Sequence, residues 1–461
     1  MAGVRGLYDL LLALAAFRKL ESHDAWTATD VAGYQRRQLA ILVRHAVKNS
    51  PFYRRFYDGL TTEQDISLHS LPVMNKRILM DNFDDVVTDP RLKLDALQNH
   101  LRTIRGDERY LGQYRVVATA GTSGLRGVFV YDPGSWRTVL ANTIRWGRFT
   151  GIRPHWPSRV RLCSIGADNP MHVTQRIPDS GNIGLFRLLH LEATEPLANL
   201  VKSLNAFQPY AIQPYPSIAA LLADEQLAGR LNIHPRVVAT HSELLTADMA
   251  QRIAAAWGTK PFDHYGLTEE PHVASECTEH HGLHLFEDTC IVEVVDEQNR
   301  AVEPGVLGRK YLLTNLYNRT QPLIRYEVSD MLTMAAEPCS CGRPFSLISQ
   351  IGGRSEDILW LKTLLGDKVA VPPLALSMRI EAYPEVAEYQ AHHSPESISL
   401  QIVARPGADR DRLRRLLTAE LGEALAKLGA VAPPVDVTFV EALRRREERM
   451  GKIKLIAAGC R

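Results

Sequence analysis

The chain is 461 residues long and carries 54 basic against 52 acidic side chains, a formal net charge of +2. This near-balance supplies no global field for nucleic acid or for an anionic membrane, so neither partner class is expected. The length exceeds one ordinary core and fits a large domain plus a smaller one.

The apolar stretch from Leu7 to Phe17 is interrupted by Asp9 and is too short to span a bilayer. No small-residue cleavage pattern precedes Arg18-Lys19-Leu20-Glu21, so an amphipathic helix packed on the body is expected rather than an anchor or a signal peptide. Helical spacing of aromatic and aliphatic residues runs from Tyr34 to Asp58, and turn signals follow at 60–64 and at Leu71-Pro72-Val73. Further on, short β-branched runs (Arg159 to Cys163, Ala211 to Gln213, Arg236 to Thr240) alternate with helical stretches (Pro216 to Ala228, Thr246 to Trp257). That alternation predicts an α/β class: a large layered N-terminal domain with mixed or parallel sheets. Beyond Arg354, alternation at Ile398, Leu400 and Ile402 gives way to one helical face (Leu413, Leu416, Leu417, Leu421, Leu425, Leu428), and alternation then returns at Val435, Val437 and Phe439. A small α+β C-terminal domain is expected there, with the boundary at Gly353-Arg354, giving units 1–352 and 353–461.

The run Thr119-Ala120-Gly121-Thr122-Ser123-Gly124-Leu125-Arg126-Gly127 lies just ahead of the apolar Val128-Phe129-Val130-Tyr131. Small residues let backbone amides approach phosphates, and the hydroxyls add donors, so Thr119, Gly121, Thr122, Ser123 and Gly124 read as a nucleotide loop. No Gly-Lys-Ser/Thr follows at Walker A spacing. Downstream come His264-Tyr265-Gly266-Leu267-Thr268-Glu269, then Arg325-Tyr326-Glu327-Val328-Ser329-Asp330, then Gly353-Arg354-Ser355-Glu356-Asp357. Taken singly, Tyr265 reads as an amphipathic core aromatic and Asp330 as a turn residue. Their order along one chain is what points to a nucleotide site.

In that order these segments resemble the motifs of the adenylate-forming superfamily, and most nearly its phenylacetate-CoA ligase, coenzyme F390 synthetase and CapK-type branch. Gln213 to Ser217 and Ser242-Glu243-Leu244 sit at matching places. The resemblance implies a hinge near Arg354, a mobile C-terminal domain, ATP and Mg²⁺, and an activity that adenylates a small carboxylic acid, with an aromatic acid favoured by the branch. It implies Tyr265 against adenine, Thr268 on the α-phosphate, Glu269 on Mg²⁺ and Asp330 on the ribose hydroxyls, with His264, Gly266, Arg354 and Glu243 at the same nucleotide pocket. A carboxylate suits a hard cation, and two acceptor oxygens suit two hydroxyl donors. Near the end, 446–454 resembles the motif whose lysine reaches the α-phosphate and the attacking carboxylate, a fixed cation where charge develops. Lys452 is the expected residue and Lys454 the second choice. Acyl-site residues are implied around Ser164 to His172 and Tyr215 to Ser217, with His172 itself read as a surface histidine.

The six cysteines are too few and uneven for a disulfide framework, and a reducing cytoplasm is expected. Cys277-x-x-His280 and Cys339-x-Cys341 form two close-spaced ligand pairs that would supply a closed structural zinc site, with His281 and His284 as competing ligands. Cys290 lies in an apolar run and reads as core.

Two departures from the family pattern lie at and after the hinge, and the second bears on the second half-reaction. Glu356 stands where many relatives have an aspartate. Leu361 to Val369 replaces the Gly- and Val/Asn-rich loop that lines a pantetheine tunnel. The acyl acceptor is therefore left open among CoA, a carrier-protein thiol, an amine or a hydroxyl. Relatives are often homodimers, while the sequence is silent on assembly. Two other classes stay open: a non-catalytic nucleotide-binding scaffold, and an enzyme adenylating a non-carboxylate oxyanion.

Overall fold

A computed structural model describes residues 2–58, 66–119, 126–152, 159–166, 170–181, 186–354, 359–371, 376, 379–380, 382–383, 385–394, 397–443 and 456–458. The N-terminal part is helical, as its spacing predicts. Thr27 caps helix Ala28–Asn49 in a reciprocal capping box with Asp30. The helical spacing from Tyr34 to Asp58 is divided between two helices that meet at Ser50-Pro51. Ser50 ends the first helix with its amide on the Ala46 carbonyl, and its hydroxyl accepts from the Tyr53 amide to start Pro51–Phe56. Pro51 has no amide to continue the ladder and fits a first helical position.

Helix Ala2–Ser22 packs on helix Pro133–Phe149, where Phe17 and Leu20 bury against Ala141. An ion cluster pins this contact. Arg145, 1% exposed, reaches Asp288 at 2.8 Å and Asp24 at 2.5 Å, and His23 Nδ1 lies 2.8 Å from the other Asp288 oxygen. Among the described residues no helix is long and apolar enough to cross a membrane.

A hairpin of β1 (Arg115–Ala118) and β2 (Val128–Tyr131) flanks the Gly-rich run. The main sheet draws on β3 (Val160–Gly166), β4 (Phe186–Glu192), β5 (Ala211–Pro214), β6 (Val237–His241), β7 (Phe262–Tyr265), β8 (Ala274–Glu276) and β9 (Leu283–Leu285). A three-stranded sheet follows, β10 (Cys290–Val295), β11 (Lys310–Asn315) and β12 (Tyr326–Val328), and then β13 (Asp330–Met334) and β14 (Leu347–Arg354) complete the main sheet. Its nine strands run β13-β14-β9-β8-β7-β6-β5-β3-β4. Pairs from β4 through β7 are parallel and pairs from β7 through β13 antiparallel. This is a mixed α/β fold with a large mixed sheet, the class read from the sequence.

The C-terminal residues add a hairpin, β15 (Leu359–Lys362) and β16 (Lys368–Val371), and a four-stranded sheet of β17 (Val386–His393), β18 (Ile398–Ala404), β19 (Val435–Phe439) and β20 (Ile456–Ala458). Helix Arg410–Lys427 buries Leu413, Leu417, Leu421 and Leu425 against Ile398, Leu400 and Ile402 in an apolar core of its own. Leu428, read as part of that face, caps the helix and is 41% exposed.

Truncating Asp288 leaves Arg145 and His23 without their shared carboxylate. Asp288→Ala is expected to destabilise the fold by about 3–5 kcal/mol, the scale for breaking a buried ion pair. Urea unfolding of the variant against wild type measures it.

Candidate nucleotide site and thiol cluster

In open α/β sheets, ligands bind beyond the carboxyl ends of the parallel strands. Here β5, β6 and β7 end together, and the segments leaving them carry Ser217, Glu243 and the Tyr265 to Glu269 loop. Glu243 Oε2 accepts from the Ser217 amide at 3.1 Å and from its hydroxyl at 2.6 Å. One strand over, the loop after β7 turns at Gly266. A Cβ there would lie 2.0 Å from the Pro271 carbonyl oxygen, so only glycine fits. The Leu267 amide on the Glu270 carbonyl (2.8 Å) and the Val273 amide on the Tyr265 carbonyl (3.0 Å) close the loop.

Two side chains outside the motifs fix it. The Tyr131 hydroxyl, at the end of β2, points at the carbonyls of Thr268 (2.7 Å) and Glu269 (3.0 Å). Glu270 is fully buried and accepts from Asn315 Nδ2 at 2.7 Å and the Tyr317 hydroxyl at 3.0 Å. Burial pushes its carboxyl well above the usual carboxylate range.

The Tyr265 hydroxyl donates to Asp330 Oδ2 at 2.5 Å and meets the Tyr311 hydroxyl at 2.9 Å. Asp330 Oδ1 lies 3.3 Å from Arg354 Nε, because Asp330 and Arg354 face each other across the β13–β14 pair. Glu269 Oε1 accepts from the Tyr326 hydroxyl at 3.1 Å and lies 3.9 Å from Lys76 Nζ. The residues of three distant segments thus meet in one place: Tyr265, Thr268 and Glu269; Tyr326 and Asp330; Arg354. Thr119 closes the neck of the Gly-rich run, donating its amide to the Gly127 carbonyl at 3.0 Å and accepting the Gly127 amide on its hydroxyl at 2.9 Å. Gly121, Thr122, Ser123, Gly124, Glu356, Lys452 and Lys454 lie outside the described residues.

His264 is in the core behind the loop. It stacks on Trp146 at 4.5 Å, with Nε2 3.1 Å from the Pro271 carbonyl, and burial lowers its pKa to about 4. His172, read as a surface histidine, is buried with Nδ1 3.1 Å from the Ala118 carbonyl, because the Ala118 amide bonds the Met171 carbonyl and draws that segment onto β1. Lys76, Tyr131, Glu270, Tyr311 and Tyr326 were not singled out as site residues from sequence. Tyr326 lies within a recognised segment, and Tyr131 and Glu270 lie at the edge of one, but none of these carries a local signal for the site, and Lys76 and Tyr311 sit in ordinary helix and strand patterns.

The thiols assemble as well, with one change of partner. The ligand atoms of Cys277, His284, Cys339 and Cys341 all lie within 4.8 Å of one another. Cys277 Sγ is 3.8 Å from Cys339 Sγ, and Cys341 Sγ is 3.4 Å from His284 Nε2. His280 is not in the cluster. It occupies a tight turn at φ 52°, its Nδ1 is 3.1 Å from Glu276 and its ring lies on Phe262. His284 replaces it because β9 pairs with β14 and sets His284 opposite Leu347, beside the Cys339 to Cys341 loop. Burial raises the Cys277 thiol to about 12, whereas at Cys341 the donors of Arg343 outweigh burial and hold the thiol below its ordinary value.

No protein-family model matches the chain. Phenylacetate-coenzyme A ligase of Aromatoleum evansii is 27% identical over 376 residues, covering 74% of each chain. That of Thermus thermophilus is 26% identical over 388 residues, covering 77% of this chain and 76% of the relative. The fold matches 2-hydroxyisobutyryl-CoA ligase solved in its postadenylation state with an acyl-AMP, at TM-score 0.74 and 19% identity over 95% of this chain and 91% of that one. The same ligase in an open conformation with 2-HIB-AMP and CoA gives TM-score 0.64. The chain is thus similar in sequence to phenylacetate-CoA ligases and shares the fold of a CoA ligase solved with an acyl adenylate. For an adenylate-forming fold, the carboxyl ends of β5 to β7 are then the edge where the nucleotide chemistry is to be sought.

The buried imidazole of His264 makes that edge acid-sensitive. His264 is neutral in both states above its unfolded value of 6.5; below it the unfolded chain takes up a proton that the folded core refuses down to about 4. Stability is therefore complete above pH 6.5 and falls as pH drops through this window, by up to about 3 kcal/mol for this one group. His272, buried beside it, is shifted the same way. Urea midpoints at about pH 7.5 and about pH 5 should show the loss, and His264→Gln should flatten it.

Proposed function

We propose that the protein is an AMP-forming acid ligase: it adenylates a small carboxylic acid with ATP, releases pyrophosphate, and passes the acyl group to CoA. The observation that carries this reading is the Tyr265–Asp330–Arg354 hydrogen-bonded chain beside Glu269, at the carboxyl ends of the parallel strands, in a relative of phenylacetate-CoA ligases. Residues 1–352 would form the nucleotide- and acid-binding unit and 353–461 the unit that brings Lys452 to it.

Each side chain has a part that its chemistry fits. Asp330 offers two carboxylate oxygens to the ribose hydroxyls, with Tyr265 and Arg354 holding its orientation. The Tyr265 ring supports the adenine and Thr268 bonds the α-phosphate. Thr119 sets the neck of the loop in which Gly121, Thr122, Ser123 and Gly124 take the outer phosphates. His264 and Gly266 hold that turn in shape, and Glu243 orders the neighbouring turn through Ser217. Glu269 is a hard oxygen ligand suited to Mg²⁺, which neutralises phosphate charge as pyrophosphate leaves. Lys452 supplies a fixed cation where the acid's carboxylate attacks the α-phosphorus and negative charge builds. Tyr215, buried against the edge of His241, and the strand end at Gly166, 3.5 Å from the Tyr215 hydroxyl at its Cβ position, are the candidate floor of the acid pocket, with an aromatic acid as the favoured class.

The test is pyrophosphate release with ATP and Mg²⁺ across aryl, alkyl and amino carboxylic acids, with and without CoA. Acid-dependent release is expected, falling by about 10²-fold or more in Lys452→Ala, the scale for losing one transition-state charge contact. Release without CoA-dependent thioester would move the acceptor to a carrier thiol, an amine or a hydroxyl. Silence across the panel with ATP still bound would favour the scaffold, or an oxyanion substrate.

The thiol cluster is proposed as a structural zinc site with ligands Cys277, His284, Cys339 and Cys341. A tetrahedron of Zn–S bonds near 2.3 Å has an edge of about 3.8 Å, and Cys277 and Cys339 are spaced at 3.8 Å. Burial holds His284 in the neutral form that ligates metal, with its pKa lowered to about 4. Purified His284→Ala should lose bound zinc while His280→Ala retains it; equal zinc content in the two, measured by elemental analysis, would exclude this ligand set.

A further inference from the structure

A crevice of about 570 Å³ lies between helices Ala2–Ser22 and Ala28–Asn49, the start of helix Pro133–Phe149 and the loop that follows β11. That volume falls in the range of small-molecule sites. None of the residues placed at the candidate nucleotide site lines it. Tyr317 does, and its hydroxyl lies 3.0 Å from Glu270 Oε1, so one phenol separates the crevice from the buried carboxyl that braces the motif loop.

The walls are held by the fold itself. Asn318 Nδ2 donates to the Val130 carbonyl at 2.9 Å, and Gln321 bonds both the Val130 amide (2.8 Å) and the Val128 carbonyl (3.1 Å), which clamps the loop after β11 onto β2. Across the crevice, Gln35 donates to the Glu287 and Cys290 carbonyls at 2.9 and 3.3 Å and fixes helix Ala28–Asn49 to the same body. A site with walls built this way has little ordering cost to meet on binding.

Its charges are unevenly satisfied. Both carboxylates in the lining are engaged: Asp288 by Arg145 and His23, and Asp132 by the amides of Gly134 and Ser135 and the hydroxyls of Ser135 and Thr320. The cations are not. Among the described residues, the Lys19 ammonium and the Arg319 guanidinium make neither an ion pair nor a hydrogen bond, and both residues are exposed. A free exposed lysine is ordinary by itself. Here two free cations share one crevice with Tyr34 and Gln38, which stand one turn apart on helix Ala28–Asn49 and whose polar ends are likewise unbonded among the described residues. Burial and then the charge of Arg319 lower the pKa of His45, two turns further along that helix and also in the lining. All four unbonded groups can donate a hydrogen bond, and Lys19 and Arg319 can do nothing else. Leu20 and Leu316 add apolar surface beside them.

We propose that this crevice is a second ligand site, separate from the nucleotide site, that takes a small organic anion: a carboxylate or phosphate group held by Lys19 and Arg319, on an apolar body that lies against Leu20 and Leu316. The proposal does not depend on the AMP-forming ligase reading.

Isothermal titration calorimetry with phenyl phosphate and with benzoate tests it and tells the two head groups apart. Inorganic phosphate supplies the charge without the body, and benzyl alcohol the body without the charge. At least one of the two organic anions is expected to bind wild type, more tightly than either control and less tightly as salt is raised. Its affinity should fall by about fivefold or more in Lys19→Gln/Arg319→Gln, the scale for losing two part-exposed charge contacts, with the urea midpoint unchanged because both side chains are exposed and unpaired. Tyr34→Phe, which removes only a hydroxyl, should weaken it by about twofold. A probe seated in the nucleotide or acid site would bind the double variant as well as it binds wild type. That result, binding of either control as tight as that of the organic anion, or no binding of either organic anion would overturn the proposal.

Discussion

The constraint on which the candidate nucleotide site depends is the meeting of the Tyr265 hydroxyl with the Asp330 carboxylate. In the sheet, β7 and β13 are separated by β8, β9 and β14. Four inter-strand steps amount to about 19 Å across a flat sheet, far beyond the reach of a tyrosine. A 2.5 Å hydrogen bond between these two strands requires the antiparallel half to coil back over the end of the parallel half. That curvature brings β12 and β13 over the loop after β7, so Tyr326 reaches Glu269 and Arg354, opposite Asp330, joins the same chain of contacts. The parallel half supplies the usual binding edge, and the coiled antiparallel half closes it with carboxylate and phenol groups.

A second layer of buried polar groups keeps the first in place. Tyr131 and Glu270 both hold the motif loop, and each is satisfied by hydrogen bonds in surroundings where an unmade bond costs about 1–3 kcal/mol. The Arg145–Asp288–His23 cluster does the same for the N-terminal helix, and Arg343 links it to the thiol cluster through Asp24 and Cys341. Such networks fix one arrangement because their alternatives leave charges or amides unpaired in a low-dielectric interior.

Much of the fold was legible because periodicity is a local property. The strands at 160–166, 211–214 and 237–241 and the helices after the last two follow from short β-branched runs and helical spacing, and the C-terminal strand, helix, strand order follows from its alternating and helical apolar residues. The three-residue strands Ala274–Glu276 and Leu283–Leu285 were not legible, since three residues carry no period; they exist because neighbouring strands pair with them. The helical spacing through Asp58 is shared by two helices, because a proline interrupts the ladder within a continuing apolar pattern. At the site, the motif residues were legible by type and order, but Lys76 and Tyr311 were not, because nothing in their own segments distinguishes them from core or surface residues, and Tyr131 and Tyr326, though in or beside recognised segments, carry no local sign of the long-range bonds they make.

The sequence by itself determined which chemistries the chain can bring to bear: a Gly-rich run, carboxylates at 269 and 330, a lysine at 452, and three thiols with histidines near them. Only the tertiary structure decided which of these groups meet. Cys277 and Cys339 are 62 positions apart and lie in contact, while His280, three residues from Cys277, turns away toward Glu276 and leaves the place to His284. The reason is that side-chain direction is set by strand register and turn geometry. In β9 alternate residues face opposite sides of the sheet, and its pairing with β14, not the spacing to Cys277, chooses which histidine faces the thiols.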